Sequence, residues 1–456
     1  MEEKEQMLFT DFPPITTQEW EEKIIADLKG QDYDRALIWK TYEGINVRPY
    51  YREEDISKLS YRETLPGVFP FVRGTKTDND WKIRQDIFVQ DFEQANKKAL
   101  RVLGKGITSL GFYFDCSRKI IVADLEILLK DICLEAAEIN FVCGCENCNC
   151  AKAFAEYVIS RIKLDKKQVV ASTAIDPITS MILKGKLEKD AFTKLKSVIE
   201  KTRELPNFRV IGVQGKYFAN SGSSIVQELA FLLAQGAEYL TQLTELGLDV
   251  DEIAKNIKFN FGIGNNYFME IAKLRVARLL WAKIVEAYNP QDMDSAKLLA
   301  HSETNSFNKT IYDPYVNMLR TQTETMSAAL GGADSITVLP FNTVYEETTE
   351  FSERIARNQQ ILLKEESHLD KIADPAAGSY YIESLTDALA EQSWKLFLEV
   401  QEMGGFITAF KEGFIQNEIK TTAAKRSVNI AQRRENLLGT NQFPNFTEKL
   451  AKELDA

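Results

Sequence analysis

The spacing of apolar and polar positions along this chain changes near residue 105. From there, short apolar runs follow one another, and each leads into a long stretch with helical periodicity. The runs are Ile107–Asp115, Glu138–Gly144, Val169–Ile175, Phe208–Gly215, Ile257–Gly264, Leu298–Glu303, Ile336–Asn342 and Ile372–Gly378. The helical stretches are Ala123–Ala136, Cys150–Leu164, Ala191–Leu205, Ser224–Leu246, Tyr267–Tyr288, Asp313–Leu330, Thr349–Glu366 and Tyr381–Met403. Alternating strand and helix imply an α/β fold, a parallel sheet with helices on its faces. Eight such units predict closure into a (β/α)8 TIM barrel over residues 105–405. An open doubly wound sheet is the alternative, but it often carries a Gly-rich phosphate turn after its first strand, and none is present. Gly262-Ile-Gly264 lies at a strand-to-helix turn without the third glycine of a dinucleotide site, so it reads as a tight βα turn.

Residues 1–104 read as an extended N-terminal arm. One amphipathic helix is expected at Thr17–Lys29, where Trp20, Ile24, Ile25 and Leu28 share a face. The segments Tyr42–Tyr50 and Pro66–Gly74 are aromatic and proline-punctuated, as in chains that lie across a surface and are held by side-chain burial. Beyond Gly405 the pattern thins to polar helix, giving a short helical C-terminal tail over 406–456. The Tyr267–Tyr288 stretch is apolar on most faces, with charges at Glu270, Lys273, Arg275, Arg278 and Lys283. That much apolar surface suggests burial on the barrel and against a partner as well.

Charge narrows the possible functions. Against 56 Lys and Arg stand 67 Asp and Glu, a net charge of −11, and no basic patch is evident, so nucleic-acid binding is not expected. No apolar run approaches the ~20 residues of a membrane span. The start, MEEKEQMLF, is acidic where a secretion signal would be basic. Six cysteines in 456 residues are too few for a disulfide scaffold, which suggests reduced thiols in the cytoplasm. With only His301 and His368, a three-His metal site is ruled out by count.

In a barrel of this kind, chemistry gathers at the C-terminal ends of the strands. Those ends hold few obvious catalysts here. His301 is a candidate acid or base, set against the commoner role of a packed, hydrogen-bonded imidazole. Cys143, Cys145, Cys148 and Cys150 place four thiols within eight residues, enough in principle for zinc or an iron–sulfur cluster. The C-x-C-x-x-C-x-C layout is not the usual pair of C-x-x-C knuckles, and small buried thiols at a barrel rim are the competing reading.

Several long segments carry a resemblance. Gly262-Ile-Gly-Asn-Asn-Tyr-Phe-Met-Glu-Ile-Ala-Lys-Leu-Arg-Val-Ala-Arg-Leu-Leu-Trp-Ala-Lys283 closely resembles the equivalent segment of methylmalonyl-CoA mutases. So do His301-Ser-Glu-Thr304, Phe351-Ser-Glu-Arg-Ile-Ala-Arg-Asn-Gln359 and Asp374-Pro-Ala-Ala-Gly-Ser-Tyr-Tyr-Ile-Glu383. Gly44-Ile-Asn-Val-Arg-Pro49, Pro66–Gly74 and Trp81-Lys-Ile-Arg-Gln85 match in the same order, so the resemblance spans roughly residues 40–440. It implies a barrel that binds an acyl-CoA along its axis. It also implies a radical rearrangement between methylmalonyl-CoA and succinyl-CoA driven by adenosylcobalamin.

The departures from that pattern fall on reacting positions. Where catalytic chains carry Trp-Thr-Ile-Arg-Gln-Tyr, with the Tyr beside the reacting carbons, this chain has Asp86. The histidine that holds the thioester oxygen falls on Tyr217. The glutamine and arginine that grip the substrate fall on Ala174 and Lys184. The loop Thr75–Asp80, CoA-contacting in the family, is shortened. A cobalamin-facing stretch aligns with Leu330–Ser335, making Leu330, Gly332 and Asp334 degenerate cofactor positions. The flavodoxin-like cobalamin domain, whose Asp-x-His-x-x-Gly motif supplies the lower axial ligand, is not found before Ala456.

The resemblance therefore implies a small non-catalytic subunit of a heterodimeric, adenosylcobalamin-dependent isomerase, cytoplasmic and inactive alone. No catalytic residue, cofactor or metal is expected in this chain. Adenosylcobalamin and the acyl-CoA substrate belong to a large catalytic partner, which Tyr42, Tyr50, Tyr51, Phe69 and Phe71 of the arm would wrap. A stand-alone degenerate barrel that serves as a scaffold or binds a CoA ester without turnover is the alternative. An enzyme built on the cysteine cluster is a third reading.

Overall fold

The structure is a computed structural model that describes residues 12–115, 119–143, 148–161 and 163–448. Eight strands close into a barrel: β1 Lys82–Phe88, β2 Ser109–Phe114, β3 Glu138–Cys143, β4 Ala171–Ile175, β5 Phe208–Gln214, β6 Ile257–Ile263, β7 Leu299–Thr304 and β8 Ser335–Thr337. Every neighbouring pair is parallel, and the short β8 joins β7 on one side and β1 on the other. The fold is the (β/α)8 barrel that the alternation predicts, with two strands redrawn.

The first correction concerns Lys82–Phe88. It lies inside the 1–104 range read as arm, yet it is the first barrel strand, and the Phe92–Leu103 helix completes its unit. Alternation along β1 sends Ile83 and Ile87 to one side and Arg84 and Asp86 to the other. A strand whose inward side chains are charged does not look like a buried strand. The second correction concerns Ile372–Gly378, which is a loop. Ile372 is exposed, Asp374 has φ +47° and Ala377 N–H bonds the Asp374 carbonyl in a turn.

The apolar core is the layer between strands and helices. Phe141 packs on Phe112 and on Phe154 of the Cys148–Ile159 helix, and Phe259 meets Trp281 edge-on at 4.8 Å. The Tyr267–Ala287 helix is buried almost throughout by its own chain, contrary to the expectation of a partner against it. Its charges are consumed internally. Lys273 pairs with Glu228 and Glu270 at 2.8 and 2.6 Å. Arg275 pairs with Asp374, and with Glu383 at 2.7 Å. Arg278 donates to the carbonyls of Phe71, Val72, Gly331 and Gly332, and burial among these neutral acceptors pulls its guanidinium down to about 10.

Through Arg278 the arm is fastened to the barrel. Arg73 reaches Asp374 at 3.4 Å, and Asn79 Nδ2 donates to the carbonyls of Ala329 and Leu369. The arm aromatics expected to wrap a partner are largely used within the chain. Phe71 is buried, Phe69 packs on it, Tyr51 packs on Tyr381, and Tyr42 bonds Glu435 and Asn429. What faces outward is different. The Thr17–Asp27 helix buries none of its residues, and Trp20 and Ile25 stand exposed beside Phe12 and Ile15. Among the described residues no helix is long and apolar enough to cross a membrane.

Candidate functional site

The interior of this barrel is polar. Period-two alternation turns Arg84 and Asp86, Glu138 and Asn140, Lys258 and Asn260, and His301 and Glu303 inward in pairs. Register sets Asp86 beside Gly111, Gly111 beside Asn140, and Asn260 beside His301. Arg84 Nε bonds Asp86 Oδ1 at 2.7 Å. That pair occupies the space a side chain at 111 would take, since a Cβ there would lie 1.9 Å from Asp86 Oδ1 and 2.7 Å from Arg84 Nη2. Across the barrel Lys258 Nζ meets Glu138 at 2.7 Å and Asn140 Oδ1 at 2.8 Å, and Asn140 is held in turn by Ser109 and Ser172. Lys216 Nζ, just past β5, bonds Glu303 at 2.8 Å and points to the Tyr113 hydroxyl at 3.4 Å.

Burial and pairing set the charges here. Burial alone would lower the Arg84 and Lys216 cations, but Asp86 and Tyr113, and Glu303 and Tyr113, outweigh it and hold both above their usual values. Burial would raise Glu138, and Lys258 more than offsets it. His301 is driven well below its ordinary value by burial, and then by Arg84, Lys258 and Lys216. Its Nδ1 shares a hydrogen bond with Ser335 Oγ at 2.8 Å. A buried imidazole surrounded by three cations is neutral at pH 7 and is a poor proton acceptor.

Two of the cavities at the C-terminal end border these charges. One of about 280 Å³ opens beside Tyr217 and is bounded by Ala174, Lys184, Arg84, Lys216 and His301. The other, about 350 Å³, lies where β1 runs past its last pairing with β8, between Asp86, Tyr113, Val338 and Arg357. Three of the expected degenerate positions, Ala174, Lys184 and Tyr217, therefore meet around one cavity, and Asp86 sits in the next, across the shared Arg84.

The other positions do not join them. Leu330, Gly332 and Asp334 precede β8, so they lie at the opposite, N-terminal rim. There Gly332 faces Arg278, and Asp334 accepts from Ala300 N–H. These positions align with the family's cobalamin-facing stretch, and chain direction sets them away from the C-terminal mouth. Of the cysteine cluster, Cys145 and the side chains of Cys143 and Cys148 lie outside the described residues, and Cys150 is buried in the core. Sequence reading missed Arg84, Lys258, Glu138 and Glu303 as a set. The visible signal was a lysine at the second position of the run Ile257–Ile263.

Comparison with known proteins adds to this geometry. The family model described as methylmalonyl-CoA mutase matches residues 40–122 and 120–455. The chain is 49% identical to the methylmalonyl-CoA mutase small subunit of Porphyromonas gingivalis, over 98% of this chain and 73% of that one. It is 33% identical to the small subunit of the same name from Streptomyces virginiae, over 97% and 72%. Against the methylmalonyl-CoA mutase of Cereibacter sphaeroides it is 34% identical over 95% of this chain, and spans 64% of that protein's length.

Proposed function

The chain belongs to the methylmalonyl-CoA mutase family, and from that membership we propose that it is the small, non-catalytic subunit of a heterodimeric adenosylcobalamin-dependent methylmalonyl-CoA mutase. Its role is to stabilise a large chain that interconverts methylmalonyl-CoA and succinyl-CoA. On this reading the complex is a cytoplasmic isomerase, and this chain alone is inactive. The observation that carries the reading is the filled barrel axis. The Arg84–Asp86 pair over Gly111 and the Lys258–Glu138 pair occupy the line along which an acyl-CoA would thread. At the other rim, Asn79 ties the Thr75–Asp80 segment down to the carbonyls of Ala329 and Leu369. These contacts disfavour the alternative in which the barrel itself binds a CoA ester.

The residues present also do not fit adenosylcobalamin. His301 is buried in the barrel with Nδ1 engaged by Ser335, and His368 is exposed on the N-terminal face beyond the Glu350–Glu365 helix. Neither imidazole stands above the C-terminal mouth, so we assign the cofactor to the partner, with the substrate. The names of the relatives from Porphyromonas and Streptomyces, both small subunits, support a partnered role.

The test is co-expression with a large mutase chain, followed by size exclusion and a mutase assay on each fraction. All activity should run with the complex, and none with this chain plus adenosylcobalamin. In the complex, Tyr217→Phe should leave turnover within about twofold. A loss near the ~10²-fold typical of a positioned catalytic donor would overturn the reading.

A further inference from the structure

A third cavity, of about 660 Å³, lies beside the barrel axis and shares no wall residue with the two described above. Its floor is made by the loops after β5, β6 and β7. Its roof is made by residues 39–43 of the arm and by the Phe414–Ala431 helix with the turn that follows it. The roof is pinned at defined points. Glu43 Oε2 accepts from Val226 N–H at 2.9 Å, at the start of the Ile225–Glu245 helix. Arg426 lies over the Tyr42 ring at 4.9 Å and the Phe307 ring at 5.5 Å, and its Nη2 donates to the Ser223 carbonyl at 3.0 Å. The charges of the wall come close to balance. Lys40, Arg426 and Arg434 stand against Glu43, Glu228, Glu270 and Glu435, and the Lys273 ammonium behind Glu228 and Glu270 supplies the missing cation.

The wall leaves hydrogen-bonding groups of both kinds unspent. Asn305 keeps 8% of its surface exposed. Its Oδ1 accepts from Phe307 N–H at 2.9 Å, which fixes the orientation of the amide. Among the described residues its Nδ2 meets no acceptor, and neither does Arg426 Nη1. Glu435 spends only Oε2 on the Tyr42 hydroxyl and Asn429 spends only Nδ2 there, so among the described residues Glu435 Oε1 and Asn429 Oδ1 take no donor. Two donors and two acceptors are therefore open on one wall, with the exposed Trp39 ring beside them.

We propose that this cavity binds an uncharged polyhydroxylated ring, a free sugar of one or two rings, with Asn305 and Arg426 donating to its oxygens and Glu435 and Asn429 accepting from its hydroxyls. A hydroxyl both donates and accepts, so a ring of them satisfies both kinds of open group. An added anion would meet Glu43 and Glu435, and an added cation would meet Arg426, so an uncharged ligand is opposed least. The Trp39 ring offers an apolar face to the C–H side of a sugar. At about 660 Å³ the cavity falls within the ~300 to ~1,000 Å³ of ligand pockets. The site lies on this chain alone, so its test by binding is separate from the test of the subunit reading by turnover.

The experiment is a ligand-observed NMR titration of the full chain with glucose, ribose and maltose, and with acetate and putrescine as charged controls. Saturable binding of at least one sugar at millimolar concentration is expected, with neither control competing. Glu435→Gln keeps an acceptor for the Tyr42 hydroxyl and turns the open acceptor into a donor, and should weaken binding at least fivefold. Trp39→Ala, at the exposed rim, should do the same without disturbing the core. Absence of saturable binding with all three sugars overturns the proposal. So does equal or tighter binding of acetate or putrescine in the same cavity, and so does an affinity for sugar that both variants leave unchanged.

Discussion

Gly111 shows how much one residue decides in this barrel. Its missing side chain is the space in which Arg84 and Asp86 meet, and an added Cβ would fall 1.9 Å from the carboxylate oxygen. Gly111→Ala should therefore split a buried ion pair or displace β2, at a cost of ~1–3 kcal/mol. A lower urea midpoint would register it, and Asp86→Ala in the same chain should recover part of the loss through coupling between neighbours. Glu324 makes a second residue-scale case. Burial raises its carboxyl to about 7, against the opposing pull of Lys309. Its folded-state value thus lies above the unfolded one, so the folded chain binds the extra proton between about 4.5 and 7. Stability from this group is present at low pH and is lost as pH rises through that window, at up to ~1.4 kcal/mol per unit. Thermal melts across pH should show the native chain losing stability over this range relative to Glu324→Gln. A parallel pair of curves would mean that Glu324 ionises normally.

At the scale of elements, the Tyr267–Ala287 helix organises the molecule. It holds the end of β6 through Lys273, the Asp374 loop through Arg275, and the arm through Arg278. Arg275→Met would strand Asp374 and Glu383 in the core without their cation. Breaking a buried pair from one side typically costs ~3–5 kcal/mol, so the variant should melt far lower or fail to accumulate. A near-native melting temperature would show that Arg73 alone neutralises Asp374.

This level also explains what was legible in the sequence. Seven strands stood out because their outward faces carry Phe112, Phe141, Phe259 and similar residues, which make apolar runs. β1 did not, because its inward residues are Arg84 and Asp86. Ile372–Gly378 imitated a strand because Ile372 and its small apolar neighbours read as buried, although Ile372 faces solvent. For the site, Ala174, Lys184 and Tyr217 each follow or end a strand, so chain direction gathers them at one mouth. Leu330, Gly332 and Asp334 precede a strand, and the same rule sends them to the other rim. The ion pairs between strands were not legible, since they depend on barrel register, which no single strand encodes.

At the scale of the whole molecule, the barrel is self-sufficient and the end of the arm is not. The Thr17–Asp27 helix has a complete capping box at Thr16 and Glu19, yet buries none of its residues. It exposes Trp20 and Ile25, a composition suited to an interface. Deleting residues up to 30 should leave the melting temperature of the isolated chain unchanged within about 2 °C, because no core contact is lost. The same deletion should weaken association with the large chain at least tenfold, read by analytical ultracentrifugation. Equal affinity with and without the helix would place the interface elsewhere on the barrel.

The closure of β8 on β1 bears on how this protein is made. β1 ends at Phe88, and its second neighbour, Ser335–Thr337, follows about 250 residues later. At ~5–20 residues per second, a ribosome leaves that edge unpaired for roughly 10–50 s. During that interval Lys82–Phe88 is an open template to which other nascent chains could add. The charges that make it look unlike a strand, Lys82, Arg84 and Asp86, also guard it against such addition until the last strand arrives.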